Sequence, residues 1–175
     1  MRVHGRRGQR GISLIVSLVL LVIVTLLALG SMRGVVQQTR MSGTTTDRSL
    51  AFEAAEAALR DAERRVAALG GANVPIAFPV AGCAGGYCAT PAVADTPRWL
   101  DDAFAGWRVA AVPAPAAAPV PEAIVEDMGD APNWAGCENE IPRQPNCSTR
   151  RLRITSRNTA DGRATVLVQS QYAAP

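Results

Sequence analysis

Gly11-Ile12-Ser13-Leu14-Ile15-Val16-Ser17-Leu18-Val19-Leu20-Leu21-Val22-Ile23-Val24-Thr25-Leu26-Leu27-Ala28-Leu29-Gly30 is the stretch on which the reading of this chain turns. No charged residue stands between Arg10 and Arg33. An uncharged run of Leu, Ile and Val of this length crosses the hydrocarbon core as one helix, which takes about 20 residues. A helix is also the open-chain form that satisfies its own backbone in lipid. Ser13, Ser17 and Thr25 do not oppose insertion, because each hydroxyl can bond a carbonyl one turn earlier.

Upstream, Arg2, Arg6, Arg7 and Arg10 precede the run, while Arg33 and Arg40 follow it at wider spacing. This asymmetry predicts an N-in, C-out orientation, with the bulk of the chain in an oxidising compartment. Residues 1–11 form a basic leader that lies outside the fold. Two processing routes fit the sequence. One cuts after the small residues of Ala28-Leu29-Gly30; the other cuts between Gly11 and Ile12 and leaves the apolar helix on the mature chain. The run is longer than the roughly 7–15 apolar residues of a cleaved secretory signal, which weighs against the first.

Setting the leader's four arginines aside leaves 14 basic residues against 15 acids. A near-neutral remainder argues against a nucleic-acid-binding domain. The chain has no lysine, and its one histidine, His4, lies in the leader. Without that histidine, and with its thiols oxidised, the mature chain lacks the commonest general base, the Schiff-base amine and the thiolate nucleophile. GxSxG and phosphate-loop motifs are missing too. We expect neither an enzyme nor a cofactor.

Downstream, the helical pattern continues to residue 69. Residues 12–32 are the membrane-spanning part and residues 33–69 its amphipathic continuation. Gly30 and Gly34 form a small-x-x-x-small pair or a weak point in the helix. Thr44 and Asp47 have capping-box spacing, which predicts that a helix restarts after Ser42-Gly43. Ala51, Ala55, Ala58, Leu59, Ala62, Val66 and Leu69 then recur at steps of three and four, one apolar stripe. Glu56–Arg60 and Asp61–Arg65 have the supportive i,i+4 order, and Gly70-Gly71 is placed to end the helix.

Residues 70–175 form the head. Its middle is rich in Ala, Pro and Gly, with short strands expected at 106–112 and 122–127 and a loop at 113–121. The clearest strands are Arg151-Leu152-Arg153-Ile154-Thr155 and residues 164–172, joined by a turn at 158–162. The expected fold is α+β: a long helix packed on a small antiparallel sheet.

The four cysteines lack the CxxC form and have no histidine to complete a zinc set, so disulfides are expected. Of three possible connectivities, we favour the local pairs Cys83–Cys88 and Cys137–Cys147, each stapling a loop with little other structure. Glu53 and Glu56 lack the i+3 histidine of a carboxylate metal site and are expected on a solvated face. The adjacent acids Asp101-Asp102 and Glu126-Asp127 are also expected to be exposed. Charge separates along the head: residues 95–140 hold nine acids and two arginines, and residues 143–163 hold six arginines and one aspartate. Arg151, Arg153 and Arg157 would line one strand face, either solvated or serving as a partner surface, including one for DNA phosphates.

Taken together, these residues resemble a type IV pilin precursor of the PilX-type minor pilins. The Arg-rich leader, Gly11 and Ile12 opening the apolar helix carry the general likeness. Arg40-Met41-Ser42-Gly43 and Asp47-Arg48-Ser49-Leu50-Ala51-Phe52-Glu53-Ala54-Ala55-Glu56-Ala57-Ala58-Leu59-Arg60 carry the specific one. Leu152-Arg153-Ile154-Thr155-Ser156-Arg157 and Val166-Leu167-Val168-Gln169-Ser170 are similar to the family's closing hairpin. The resemblance implies a pilin-like fold, cleavage after Gly11 by a prepilin peptidase, and N-methylation of Ile12. It implies an inner-membrane, single-pass subunit with a periplasmic head in a Gram-negative-type cell, later incorporated into a pilus.

The partners it implies are other minor and major pilins, the peptidase, an inner-membrane assembly platform, membrane lipid and a tip adhesin. Val16 departs from the family pattern, since most pilins carry there a glutamate thought to pair with a neighbour's N-terminal amine. A non-acidic residue suits a subunit with none stacked above it, at or near the tip. The alternatives are a type II secretion pseudopilin and, from another class, a membrane-anchored periplasmic ligand- or DNA-binding domain.

Overall fold

The computed structural model describes residues 12–71, 76–112 and 120–174. They divide after Thr45 into two compact units. The element common to both is helix α1, Ile12–Gly71. No break occurs at the expected restart. Thr44 and Thr45 both donate their hydroxyls to Met41 O at 2.9 Å, the back-bonding that lets hydroxyl residues stay inside a helix. Asp47 is not a cap partner; its carboxylate is taken by Arg163 and Ala164 N. The expected Gly70-Gly71 terminus coincides with the end of α1.

In the second unit, α1 from residue 46 onward packs on a sheet. The strands are β1 Cys83–Ala84, β2 Tyr87–Cys88, β3 Arg108–Val109, β4 Val120–Pro132, β5 Ser148–Thr159 and β6 Leu167–Ala173. Their order is β1-β2-β4-β5-β6, with β3 also on β4. The sheet is mixed, because β2 runs parallel to β4 while the other pairs are antiparallel. This corrects the all-antiparallel expectation. The long crossover from residue 89 to β4 permits a parallel neighbour, and strands two residues long leave no alternation to read. Gly86 makes this approach possible: its φ is +86°, and a Cβ there would lie 2.6 Å from Arg108 Cβ.

β4 is twice as long as the segment expected at 122–127, and it includes Val120 and Pro121 from the predicted loop; residues 113–119 lie outside the described residues. A bulge separates Asp127 from Asp130, where Gly129 takes φ +74°. β5 is also longer than expected and absorbs Asn158 and Thr159 from the predicted turn. The buried Asn158 organises the connection from β5 to β6: its Nδ2 donates to Ala164 O at 2.7 Å, and its Oδ1 accepts from Val166 N at 2.7 Å.

The core lies between α1 and one sheet face. Ala58, Leu59, Ala62 and Val66 meet Ala110, Ala123, Val125, Leu152 and Ile154. Ala51, Ala55, Ala58 and Ala62 are fully buried. Small side chains along this stripe let the sheet approach closely enough for Ser156 Oγ to donate to Ala55 O at 2.8 Å.

Candidate functional site

Two features of the chain bear on function: the apolar half of α1 and the way the head closes on itself. In the first unit, the large apolar side chains of residues 12–29 stand 45–74 % exposed. That surface is long and apolar enough to cross a membrane. Ser17 Oγ donates to Leu14 O at 3.0 Å and Thr25 Oγ1 to Val22 O at 2.8 Å, so both hydroxyls are satisfied within the helix. Ile12 opens α1 and Val16 sits one turn on. Gly11 lies outside the described residues, as does the rest of the leader, and so does the side-chain environment of Gly34. Gly30 has open space where a Cβ would stand.

In the head, Arg151, Arg153 and Arg157 do line one strand face, where each is half-buried and engaged within the head rather than freely solvated. Arg153 Nε donates to Glu126 Oε2 at 2.9 Å, and its guanidinium lies 4.4 Å from the Trp99 ring centroid. Arg157 Nε donates to Glu122 Oε2 at 3.1 Å, and its guanidinium lies 4.1 Å from the Trp107 ring. Arg151 donates to Pro132 O at 3.1 Å and to Asn133 Oδ1 at 2.9 Å. Each of these arginines thus has a partner within the head.

Glu126 is the centre of this arrangement. The expectation that it is exposed is wrong: it is completely buried. Its two oxygens take Arg153 and, at 2.5 Å, Arg98 Nη1 from the helical turn Arg98–Leu100. A buried carboxylate persists only when its charge is compensated and its lone pairs are used. Arg98 and Arg153 meet that requirement, and Trp99 stacks on the second of them. The segment carrying Arg98, Trp99 and Trp107 thus lies over the sheet face opposite α1.

Asp127 points to the other face and is held by Arg150, with Nε–Oδ1 at 2.9 Å and Nη2–Oδ2 at 2.6 Å. This two-pronged pair holds the Asp127 carboxyl below its ordinary range and the Arg150 guanidinium above its own. Part of the charge separation along the sequence thus resolves into ion pairs between β4 and β5, Asp127–Arg150, Glu126–Arg153 and Glu122–Arg157.

The hairpin after β5 is tied back to α1. Asp47 accepts from Arg163 Nε and, at 2.6 Å, from Ala164 N; these bonds lower the Asp47 carboxyl below its usual range, the backbone bond first. Ser170 Oγ donates to Glu63 Oε1 at 2.7 Å. Glu53 is exposed, and Glu56 faces Arg60 at 3.9 Å.

Cys83 is bonded to Cys88 and Cys137 to Cys147. Cys137, Glu138 and Cys147 bring ligand-type atoms within 4.8 Å of one another, but both sulfurs are consumed by the disulfide. The covered Glu126 cluster and the Asp47 clip were missed in sequence because each joins residues at least 27 apart in the chain.

A family model described as PilX N-terminal matches residues 10–60. No curated protein and no solved structure matches the chain. The matched residues coincide with the apolar half of α1 and the start of its buried stripe, the part of the chain that sequence had likened to the same family. Residues 10–60 of this chain are thus similar to the N-terminal region of the PilX-type minor pilins of type IV pili.

Proposed function

We propose that the chain is a minor pilin that helps initiate or cap type IV pilus assembly, inserted through α1 at or near the tip. The observation that carries this reading is the coincidence of the matched residues 10–60 with a helix whose residues 12–29 leave their large apolar side chains uncovered. Such a surface needs lipid before assembly and neighbouring helices after it. Cleavage after Gly11 would remove the charged leader and leave the apolar half of α1 in the membrane, from which it exchanges lipid for neighbouring helices. The absence of a carboxylate at Val16 supports a terminal position, because no register-setting charge pair with a neighbour is available there.

The head, with Arg98, Arg150, Arg153 and Arg157 paired internally and two loops stapled, supports a structural role among other pilins, the assembly platform and a tip adhesin. Deleting the chain in its native cell tests the role. An initiation or capping subunit lowers the number of filaments per cell while those that form keep normal length. Unchanged filament number would contradict it.

A further inference from the structure

The sheet ends in two unlike edges. Beyond β4 on one side lie β2 and β3, two residues each, with β1 and β2 closed by the Cys83–Cys88 bond. On the other side β6 is outermost. Its seven residues, Leu167-Val168-Gln169-Ser170-Gln171-Tyr172-Ala173, include no charge, proline or glycine. They pair with β5 in unbroken register. Natural edges are blunted by charges, prolines or bulges, and β6 has none of these.

The register fixes which peptide groups face outward. Ala174 N donates to Arg150 O at 2.9 Å, and Asn158 N donates to Val166 O at 3.3 Å. Even-numbered residues of β6 therefore turn their peptide groups to β5, and the alternate residues turn theirs away. Leu167, Gln169, Gln171 and Ala173 hold N–H and C=O outward, without a backbone partner among the described residues.

We infer that β6 is a docking edge that receives an extended strand from a different polypeptide by main-chain pairing. A row of alternating donors and acceptors is matched by another strand. Val168, Ser170 and Tyr172 are half-buried towards α1, while Leu167, Gln169, Gln171 and Ala173 are exposed on the other face. The incoming strand alternates in the same sense: apolar on the α1 side, polar opposite. It needs no compensating charge.

A second copy does not supply it. Its far edge offers only two-residue strands. A symmetric β6–β6 pair would be antiparallel, and β6 runs in the direction of residues 46–71, because Asp47 meets Ala164 while Glu63 meets Ser170. Symmetric pairing would set those two helix segments antiparallel, whereas subunits of one filament present theirs alike. The edge itself stands on geometry; the exclusion of a symmetric pair and the partner's identity as a pilus subunit rest on the proposed function.

The test places a photo-crosslinking p-benzoylphenylalanine at Gln171 of the full chain, expressed in its native cell, with the exposed helix residue Ala67 as control site. The expected result is an adduct from position 171 to a segment of a different protein, identified by peptide sequencing. Adding Gln169→Pro, which removes an outward N–H and the side-chain bond from Gln169 Nε2 to Thr155 Oγ1 but no backbone bond to β5, lowers the adduct by about tenfold. Gln169→Lys, which places a charge on the edge, lowers it as well. A self-adduct, no adduct, or an adduct insensitive to both variants would overturn the inference. An adduct to a protein outside the pilus supports the edge and removes the pilin reading. Normal incorporation into pili without an adduct removes the edge and leaves that reading.

Discussion

Glu126 Oε2 accepts a hydrogen bond from Arg153 Nε at 2.9 Å across the β4–β5 pair, with the carboxylate wholly buried. Arg98 completes the set from the segment that lies over that face. Removing the carboxylate leaves two mostly buried guanidinium groups, 16 % and 18 % exposed, without their counter-charge. Glu126→Ala is therefore expected to cost about 3–5 kcal/mol. Denaturant titration of the full chain in detergent measures it, and a loss under about 1 kcal/mol would contradict the central role given to this residue.

The Asp127–Arg150 pair sets an acid dependence. Because the folded carboxyl holds its proton less tightly than the unfolded one, the pair's contribution is fully present above the unfolded value. It is lost as pH falls below about 4 and through the lower folded value. Asp127→Asn should flatten the fall in stability below that pH and leave little pH dependence of its own between 5 and 7. Denaturation midpoints measured from pH 2 to 7 check both limbs.

Alanine at the buried stripe is a fitting requirement. Ala58 is fully buried against the sheet, so Ala58→Leu should cost about 1–3 kcal/mol through overpacking. Ala67→Leu, on the exposed face of the same helix, should stay within about 0.5 kcal/mol. Thermal melts of the two variants side by side give the comparison.

The Cys137–Cys147 bond closes a separation of 10 residues around a loop that carries the exposed Ile141 and Arg143. Replacing both cysteines with serine should cost about 2–3 kcal/mol. The peptide bond after Arg143 should become the first site cut by trypsin. Limited proteolysis and mass spectrometry read this out.

Much of the fold was legible because it rests on periodicity. The stripe from Ala51 to Val66 and the alternation of Arg151 to Thr155 each follow from one local rule, and both occupy the buried positions expected of them. What sequence could not show depends on pairing across distance. Glu126 looks like any loop acid until Arg98 and Arg153 are brought to it, 28 and 27 residues away. Asp47 resembles a cap because its true partners, Arg163 and Ala164, lie more than 100 residues on. The parallel β2–β4 pair had no signature at all, since two residues of strand carry no period. The internal partners of Arg153 and Arg157 were hidden for the same reason. The acids that neutralise Arg153 and Arg157 lie on β4, and the complementary charge sought in a partner was on the neighbouring strand.

The account depends on α1 staying with the finished subunit. Intact-mass and N-terminal peptide analysis of the chain recovered from its native membrane or from sheared filaments tests this most directly. We predict a mature polypeptide that begins at Ile12 with a methylated amino group. A polypeptide beginning at Ser31, or one that retains Met1 as an uncleaved anchor, would contradict it.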